Sequence, residues 1–196
     1  LFYDKLIVRL KNFTQVNKIK WNNEFKINGM KFKSLDKFII DIENILLNLP
    51  QNQSFMHGDF CFSNIIYESR LKRIFVVDPR GSYDSVYTTC KGSQIYDRCK
   101  FYHSIYGLYD FIVHGMFDIN IESPYKIAME IFQNPNVKRI QGIFQSINKQ
   151  IESNDEIIHK LLPTLFMSML PLHSENKNRQ MALFANAMLI HERNFS

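Results

Sequence analysis

The chain of 196 residues has few residues that interrupt helices and strands or cross-link the backbone: seven glycines, six prolines and three cysteines. It also has a single tryptophan. The cysteines, Cys61, Cys90 and Cys99, are odd in number and lack metal-site spacing, which argues against a disulfide framework and favours a reducing compartment. No two glycines are spaced as Gly-x-Gly, so the chain has no glycine-rich loop of the kind that covers nucleotide phosphates.

Long hydrophobic runs and long basic runs are also missing. The most apolar stretch, 157–172, is interrupted by His159, Lys160 and Pro163 and is too short to span a bilayer. With no signal peptide at the start, we expect a cytoplasmic protein without a membrane partner. The net charge is +5 and the pI is about 9.0, but the basic residues are scattered. We therefore expect a solvated basic surface and no nucleic-acid partner.

The chain is rich in apolar residues, with 45% hydrophobic residues and 17 phenylalanines, as is typical of a globular domain with its own core. Its length favours a single domain over 1–196, in which a central part at about 34–115 precedes a C-terminal helical part at about 120–196. Alternation around Asn28-Gly29 predicts a hairpin over 24–32. The expected fold class is α+β, mostly α.

Apolar residues that recur at helical spacing predict the remaining elements. Helices are expected over 1–13, 35–49, 94–113, 124–133, 136–152, 155–172 and 176–193. Two short apolar strands are expected over 64–68 and 73–77, joined by a turn at 69–72.

A cluster of polar residues surrounds these two strands. His57 and Asp59 form a His-x-Asp motif, Asn64 follows five residues later, and Asp78 ends the second strand. The hairpin would bring Asn64 and Asp78 back to the same edge. Carboxylate and carboxamide oxygens suit a hard cation such as Mg²⁺. The pattern is typical of phosphoryl transfer, in which a base orients the attacking hydroxyl and metal ions hold the nucleotide phosphates.

The signature His57-Gly58-Asp59-x-x-x-x-Asn64 resembles that of the aminoglycoside phosphotransferase and choline kinase-like family of small-molecule kinases. The resemblance implies a protein-kinase-like fold, with Asp59 as the catalytic base and Asn64 and Asp78 as magnesium ligands. It implies that His57 braces the loop, and that Mg²⁺ and ATP are the cofactors, with GTP also compatible.

Two further residues acquire expected roles from the same resemblance. Asp97 falls where the family places a structural aspartate at the start of the next helix, although the surrounding residues depart from the family pattern. Arg80, in Asp78-Pro79-Arg80-Gly81, is a candidate for a phosphate contact.

A kinase also needs a strand lysine that pairs with the nucleotide phosphates, and no such lysine is recognisable in the 56 residues before His57. We therefore expect the C-terminal lobe of a kinase-like protein, without the N-terminal nucleotide-binding lobe. The expected function is magnesium-dependent transfer of the ATP γ-phosphate to a hydroxyl of a sugar, an amino alcohol or a similar small acceptor. The alternative is a non-catalytic pseudokinase lobe that acts as an interaction module.

Overall fold

The computed structural model describes residues 3–49, 53–80, 90–150 and 155–195 as a mostly helical α+β fold. The helices are α1 (Asp4–Val16), α2 (Leu35–Leu47), α3 (Gln94–Ile105), α4 (Tyr109–Val113), α5 (Asn136–Gln150), α6 (Glu156–Met169) and α7 (Lys177–Phe195). The strands are β1 (Phe25–Ile27), β2 (Met30–Phe32), β3 (Ser54–Phe55), β4 (Ile65–Glu68), β5 (Arg73–Val76), β6 (Lys91–Gly92), β7 (Phe117–Ser123) and β8 (Lys126–Ile131).

The core is centred on α6 and α7, which pack against each other, and α6 also packs against α1 and α3. Both helices bury residues on most of their circumference, as expected of helices inside a core. The aromatic rings of Phe13, Phe25 and Phe184 meet between α1, β1 and α7. Each fully buried phenylalanine removes a large apolar surface from water, about 1.5–3 kcal/mol of stabilisation per side chain.

The predicted elements before residue 80 are confirmed. Asn28 and Gly29 both have positive φ, 52° and 81°, and connect β1 to β2 as an Asn-Gly turn should. Ser34 caps α2 by accepting a hydrogen bond from the Lys37 amide at 3.3 Å. β4 and β5 pair antiparallel, from Ile65↔Val76 to Glu68↔Arg73.

The helix predicted over 124–133 is wrong, because this segment forms β8. It pairs antiparallel with β7 and parallel with β1, in a sheet of order β2-β1-β8-β7. Ile127 and Met129 are buried whereas Ala128 and Glu130 are exposed, a period of two residues and not of 3.6. The partner strand β1 lies about a hundred residues earlier in sequence, so local pattern alone did not reveal it.

The single helix predicted over 94–113 is also wrong, because the chain breaks between α3 and α4. Leu108 adopts a left-handed conformation with φ of 55°, which ends the helical path. The carbonyl of Gly107 accepts a hydrogen bond from Nδ2 of Asn186 at 2.8 Å. A core contact with α7 therefore holds the break in place.

Replacing Gly107 with alanine should destabilise the fold. A Cβ atom at Gly107 would lie 2.6 Å from the His103 carbonyl oxygen and 2.7 Å from the Phe166 ring, closer than van der Waals contact allows. Overpacking of this kind costs about 1–3 kcal/mol in the free energy of unfolding, measurable by urea denaturation. Gly142→Ala is the matched control, because its Cβ would meet nothing within 4 Å and α5 should gain about 0.5–1 kcal/mol. Equal stability of the two variants would refute the packing argument.

The remaining predictions concern the last three helices, the cysteines and membrane-spanning segments. The helices predicted over 136–152, 155–172 and 176–193 correspond to α5, α6 with a following 3₁₀ turn, and α7. All three cysteines are free thiols. In the described ranges, no helix has the length and apolarity needed to cross a membrane.

Candidate active site

The loop that carries Asp59 is anchored by hydrogen bonds to the side chain of Asp97. The backbone N–H groups of His57 and Gly58 donate to the two carboxylate oxygens of Asp97, at 2.6 Å and 2.7 Å. Asp97 lies in the first turn of α3, whose N-cap Ser93 accepts from the Ile95 amide. A carboxylate at this end of a helix is stabilised by the helix dipole, so Asp97 forms a fixed anionic support for the loop.

Gly58 allows the loop to turn tightly over this support. Its φ of +80° lies in the left-handed region, and a Cβ atom there would lie only 2.9 Å from Cβ of Arg80. The Arg80 amide donates to the His57 carbonyl at 2.8 Å. Only glycine therefore fits between Asp97 and the segment that follows β5.

The imidazole of His57 links the loop to the end of β5. The Asp59 amide donates to Nδ1 of His57 at 3.3 Å, so the ring proton is assigned to Nε2. Nε2 then donates to the Val77 carbonyl at 3.0 Å. His57 thus links the two segments that carry Asp59 and Asp78 through hydrogen bonds.

Asn64 lies at the open end of the hairpin, beside Asp59. Its Nδ2 donates to the Asp59 backbone carbonyl at 2.9 Å and approaches Oδ2 of that residue at 3.4 Å. The Val77 amide donates to the Asn64 carbonyl at 3.0 Å, which extends the β4–β5 pairing by one step. Asp78 follows directly, with φ of 57°. The hairpin therefore brings Asn64 and the backbone of Asp78 to one edge, as predicted.

Asn64 and Asp78 supply oxygen ligands of the kind that Mg²⁺ accepts. Because the Asn64 NH₂ group faces Asp59, the carboxamide oxygen accepts no hydrogen bond from the described part of the chain. The Asp78 side chain is exposed. Mg²⁺ usually takes one or two protein ligands and completes its shell with phosphates and water, so two such residues suffice. In those same ranges no three His, Cys, Asp or Glu side chains cluster as a metal site by themselves.

Lys100 is the functional candidate that sequence reasoning missed. Its Nζ lies 2.8 Å from Oδ1 of Asp59, with the lysine side chain 9% exposed and the aspartate side chain 30% exposed. Burial alone would raise the pKa of the Asp59 carboxyl, but Lys100, Arg80 and the Asn64 amide outweigh it and lower that pKa below its ordinary value. Asp59 is therefore ionised at neutral pH. The available signal was the spacing: Lys100 follows Asp97 by three residues, on the same face of α3.

Two cavities flank the loop that carries Asp59. The first, the aromatic cleft, has a volume of about 930 Å³ and is lined by His57, Phe60, Asp97, Phe101 and Phe144, among others. The second, the basic pocket, has a volume of about 200 Å³. It is lined by Lys5, Arg9, Asp59, Arg80, Tyr96, Lys100, Thr164, Leu165, Ser168, Met169 and Leu172. Asp59 thus faces the basic pocket, whereas His57 and Asp97 line the cleft on the other side of the loop.

Hydrogen bonds connect some of the predicted site residues directly, whereas others only lie nearby. His57, Asp59, Asn64 and Asp97 are connected through hydrogen bonds of the loop. Asp78 is next to them through the hairpin pairing. Arg80 lies near enough to act on the Asp59 carboxyl electrostatically, and its phosphate contact stays a prediction.

Comparisons of the chain with family models, curated proteins and solved structures returned no match.

Proposed function

We propose that this chain is the catalytic lobe of a magnesium-dependent phosphotransferase with a protein-kinase-like fold. The observation that carries the proposal is the arrangement at the hairpin. One edge brings together an ionised aspartate, an asparagine whose oxygen accepts no hydrogen bond from the described residues, and a second, exposed aspartate. Asp97 and His57 fix this edge from two sides. Phosphoryl transfer depends mainly on positioning and charge, which is what such a rigid set of oxygens supplies.

In the proposed reaction, a hydroxyl oxygen of the acceptor forms a bond to the γ-phosphorus of ATP. The bond between that phosphorus and the β–γ bridging oxygen breaks, which releases ADP. Asp59 accepts the hydroxyl proton, and its lowered pKa keeps it available as the acceptor. Asn64 and Asp78 would hold Mg²⁺, which neutralises charge on the phosphates when bound. Lys100 and Arg80 add positive charge next to Asp59, where the transferred group carries negative charge.

A second candidate function is supported by the β4–β5 hairpin. Apolar side chains on both of its faces are exposed to solvent: Ile66, Tyr67, Ile74, Phe75, Val76 and Val77. Apolar surface of this kind on a two-stranded hairpin often marks an interaction site. A non-catalytic lobe that binds a protein through this hairpin is therefore the alternative, and it predicts no role for magnesium.

Calorimetric titration with ATP, in the presence and absence of magnesium, distinguishes the two functions. A phosphotransferase site should bind ATP more tightly with magnesium, and Asp78→Ala should remove the magnesium dependence. Asp118→Ala is the matched control, because Asp118 is an exposed aspartate on β7, in a different sheet. Magnesium-independent binding, or the same loss in both variants, would contradict the proposal.

A further inference from the structure

The aromatic cleft has the size and the lining of a binding site for a small molecule. Its volume of about 930 Å³ falls within the range usual for drug-sized ligands. Apolar side chains form most of its lining: Phe55, Met56, Phe60, Val76, Pro79, Phe101, Tyr102 and Phe144. Its lining does not include Asp59, Asn64 or Asp78, so the cleft is distinct from the proposed phosphotransfer site.

Three phenylalanines of the cleft pack against one another and yet stay only partly buried. Phe60 and Phe101 stack with their ring centroids 5.5 Å apart and their planes at 25°. Phe144 meets the Phe101 ring edge-on, with the centroids 5.3 Å apart and the planes at 64°. By contrast, Phe166 and Phe184 of the core are fully buried. Rings that leave surface open on a cleft offer stacked and edge-on contacts to a further flat ring.

Two carboxamide groups of the lining can hydrogen-bond to a ligand. The Gln94 side chain is exposed and forms no hydrogen bond with the residues that the structure describes. Asn148 is only 6% exposed, and its Nδ2 donates to Oη of Tyr102 at 2.6 Å and to Oδ2 of Asp155 at 2.7 Å. Its Oδ1 accepts no hydrogen bond from that part of the chain. A hydrocarbon chain in the cleft would bury polar atoms without partners, which is unfavourable, whereas a ligand with N–H donors satisfies them.

The charged residues of the lining, Asp97 and Arg98, already have partners. Asp97 accepts hydrogen bonds from two amides of the loop, and Nη2 of Arg98 lies 2.6 Å from Oδ1 of Asp155 in an ion pair. A charged ligand would lose its hydration in this apolar cleft and would have to compete with these contacts. The lining therefore favours an uncharged ligand.

We propose that the aromatic cleft binds a neutral, planar heteroaromatic compound with N–H donors, of the nucleobase class. The ring of the ligand stacks on the open phenylalanine surfaces, its donors meet Oδ1 of Asn148, and the Gln94 carboxamide pairs with its edge. Glutamine is suited to this contact because its carboxamide can donate to a ring nitrogen while it accepts from the neighbouring amino group. This site goes beyond the proposed phosphotransfer and does not depend on it.

Calorimetric titration of the full chain with matched neutral compounds tests the proposal. Adenosine should bind at least about tenfold more tightly than purine riboside, which lacks only the exocyclic amino group, because a polar group of the cleft then loses its partner. Ribose, which has no flat ring, should not bind. Absence of binding by adenosine, guanosine and cytidine alike would overturn the proposal. Binding of 1-octanol as tight as that of adenosine would also overturn it, because the cleft would then be a general apolar surface.

Single substitutions at exposed positions locate the binding. Gln94→Ala and Phe55→Ala should each weaken adenosine binding by about tenfold, through the loss of hydrogen bonds and of stacking surface respectively. Gln15→Ala and Phe132→Ala are the matched controls, since both residues are exposed and neither lines the cleft. Losses in the controls as large as those in the cleft variants would overturn the proposal, and thermal melting of each variant monitors the fold.

Titration of adenosine with saturating ATP and magnesium present separates the cleft from the phosphotransfer site. Unchanged affinity for adenosine, in the unmodified chain and in Asp78→Ala, supports a separate site. Competition by ATP, or a loss of adenosine binding in Asp78→Ala, would overturn the proposal by assigning adenosine to the nucleotide site. If ATP does not bind but adenosine binds through Gln94 and Phe55, the proposed function fails while the cleft site stands.

Discussion

Asp59→Asn should lower the rate of phosphoryl transfer by about 10³-fold, the size usually lost with a positioned general base. Asparagine keeps the size of the side chain and can accept a hydrogen bond from Lys100, but it cannot take the hydroxyl proton. The measurement is kcat for ADP release in the presence of an acceptor. Retention of full turnover by Asp59→Asn would refute the assignment of the base.

Because Asp59→Asn also lowers stability, a second variant is needed to separate the loss of activity from the loss of stability. Lys100 is 9% exposed, and removing its carboxylate partner leaves a nearly buried ammonium without a counter-charge. Because Asp59 is partly exposed, we expect a loss of only about 1–2 kcal/mol in the free energy of unfolding. The double variant Asp59→Asn/Lys100→Met should recover stability but not activity. Recovery of activity together with stability would show that Asp59 acts only through the fold.

The ion pair also predicts a change in the pH profile. Lys100 is the largest of the interactions that lower the pKa of Asp59, so the acid limb of kcat/KM should lie below the ordinary carboxyl pKa. In Lys100→Met the pKa of Asp59 should rise, and the acid limb should move to higher pH. An unmoved limb would mean that another group controls it.

The parts of the site that sequence predicted are those encoded locally. Asn64 and Asp78 are joined by a short hairpin, whose apolar strands and polar turn determine which ends meet. The chain break near Leu108 and the strand β8 were missed because distant partners determine them, Asn186 of α7 and β1 respectively. Local periodicity contains no information about such contacts.

The surroundings of Asp59 likewise combine residues that the local sequence predicts with residues that only tertiary packing brings together. The proposed base follows from the motif, but the cations around it come from Lys100 on α3, about forty residues later in sequence, and from Lys5 and Arg9 on α1, about fifty residues earlier. The packing of α6 against both α1 and α3 brings these cations into one pocket with Asp59. The composition of this pocket is therefore a property of tertiary structure, and the scattered basic residues of the sequence did not predict it.

Asp97→Asn should disrupt the catalytic loop and lower kcat by about 10²-fold, although Asp97 does not line the basic pocket that Asp59 faces. Its two oxygens accept from the His57 and Gly58 amides, and asparagine offers one acceptor oxygen and one NH₂ group. One N–H of the loop would face another donor, at a cost of about 2–3 kcal/mol in the free energy of unfolding. Hydrogen exchange gives the direct measurement, since the His57 and Gly58 amide protons should exchange faster in the variant.

Asp36→Asn is the matched control for this substitution. Asp36 is an exposed aspartate in the first turn of α2, so its replacement removes the same charge from a helix N-terminus without releasing a loop. The dipole effect alone amounts to about 0.3–1 kcal/mol, and turnover should not change. If Asp97→Asn costs no more stability than Asp36→Asn and leaves the loop amides protected, Asp97 is a helix-capping residue and not the support of the active-site loop. A large loss confined to Asp97→Asn, with rapid exchange at residues 57 and 58, shows that the carboxylate on α3 holds Asp59 in position.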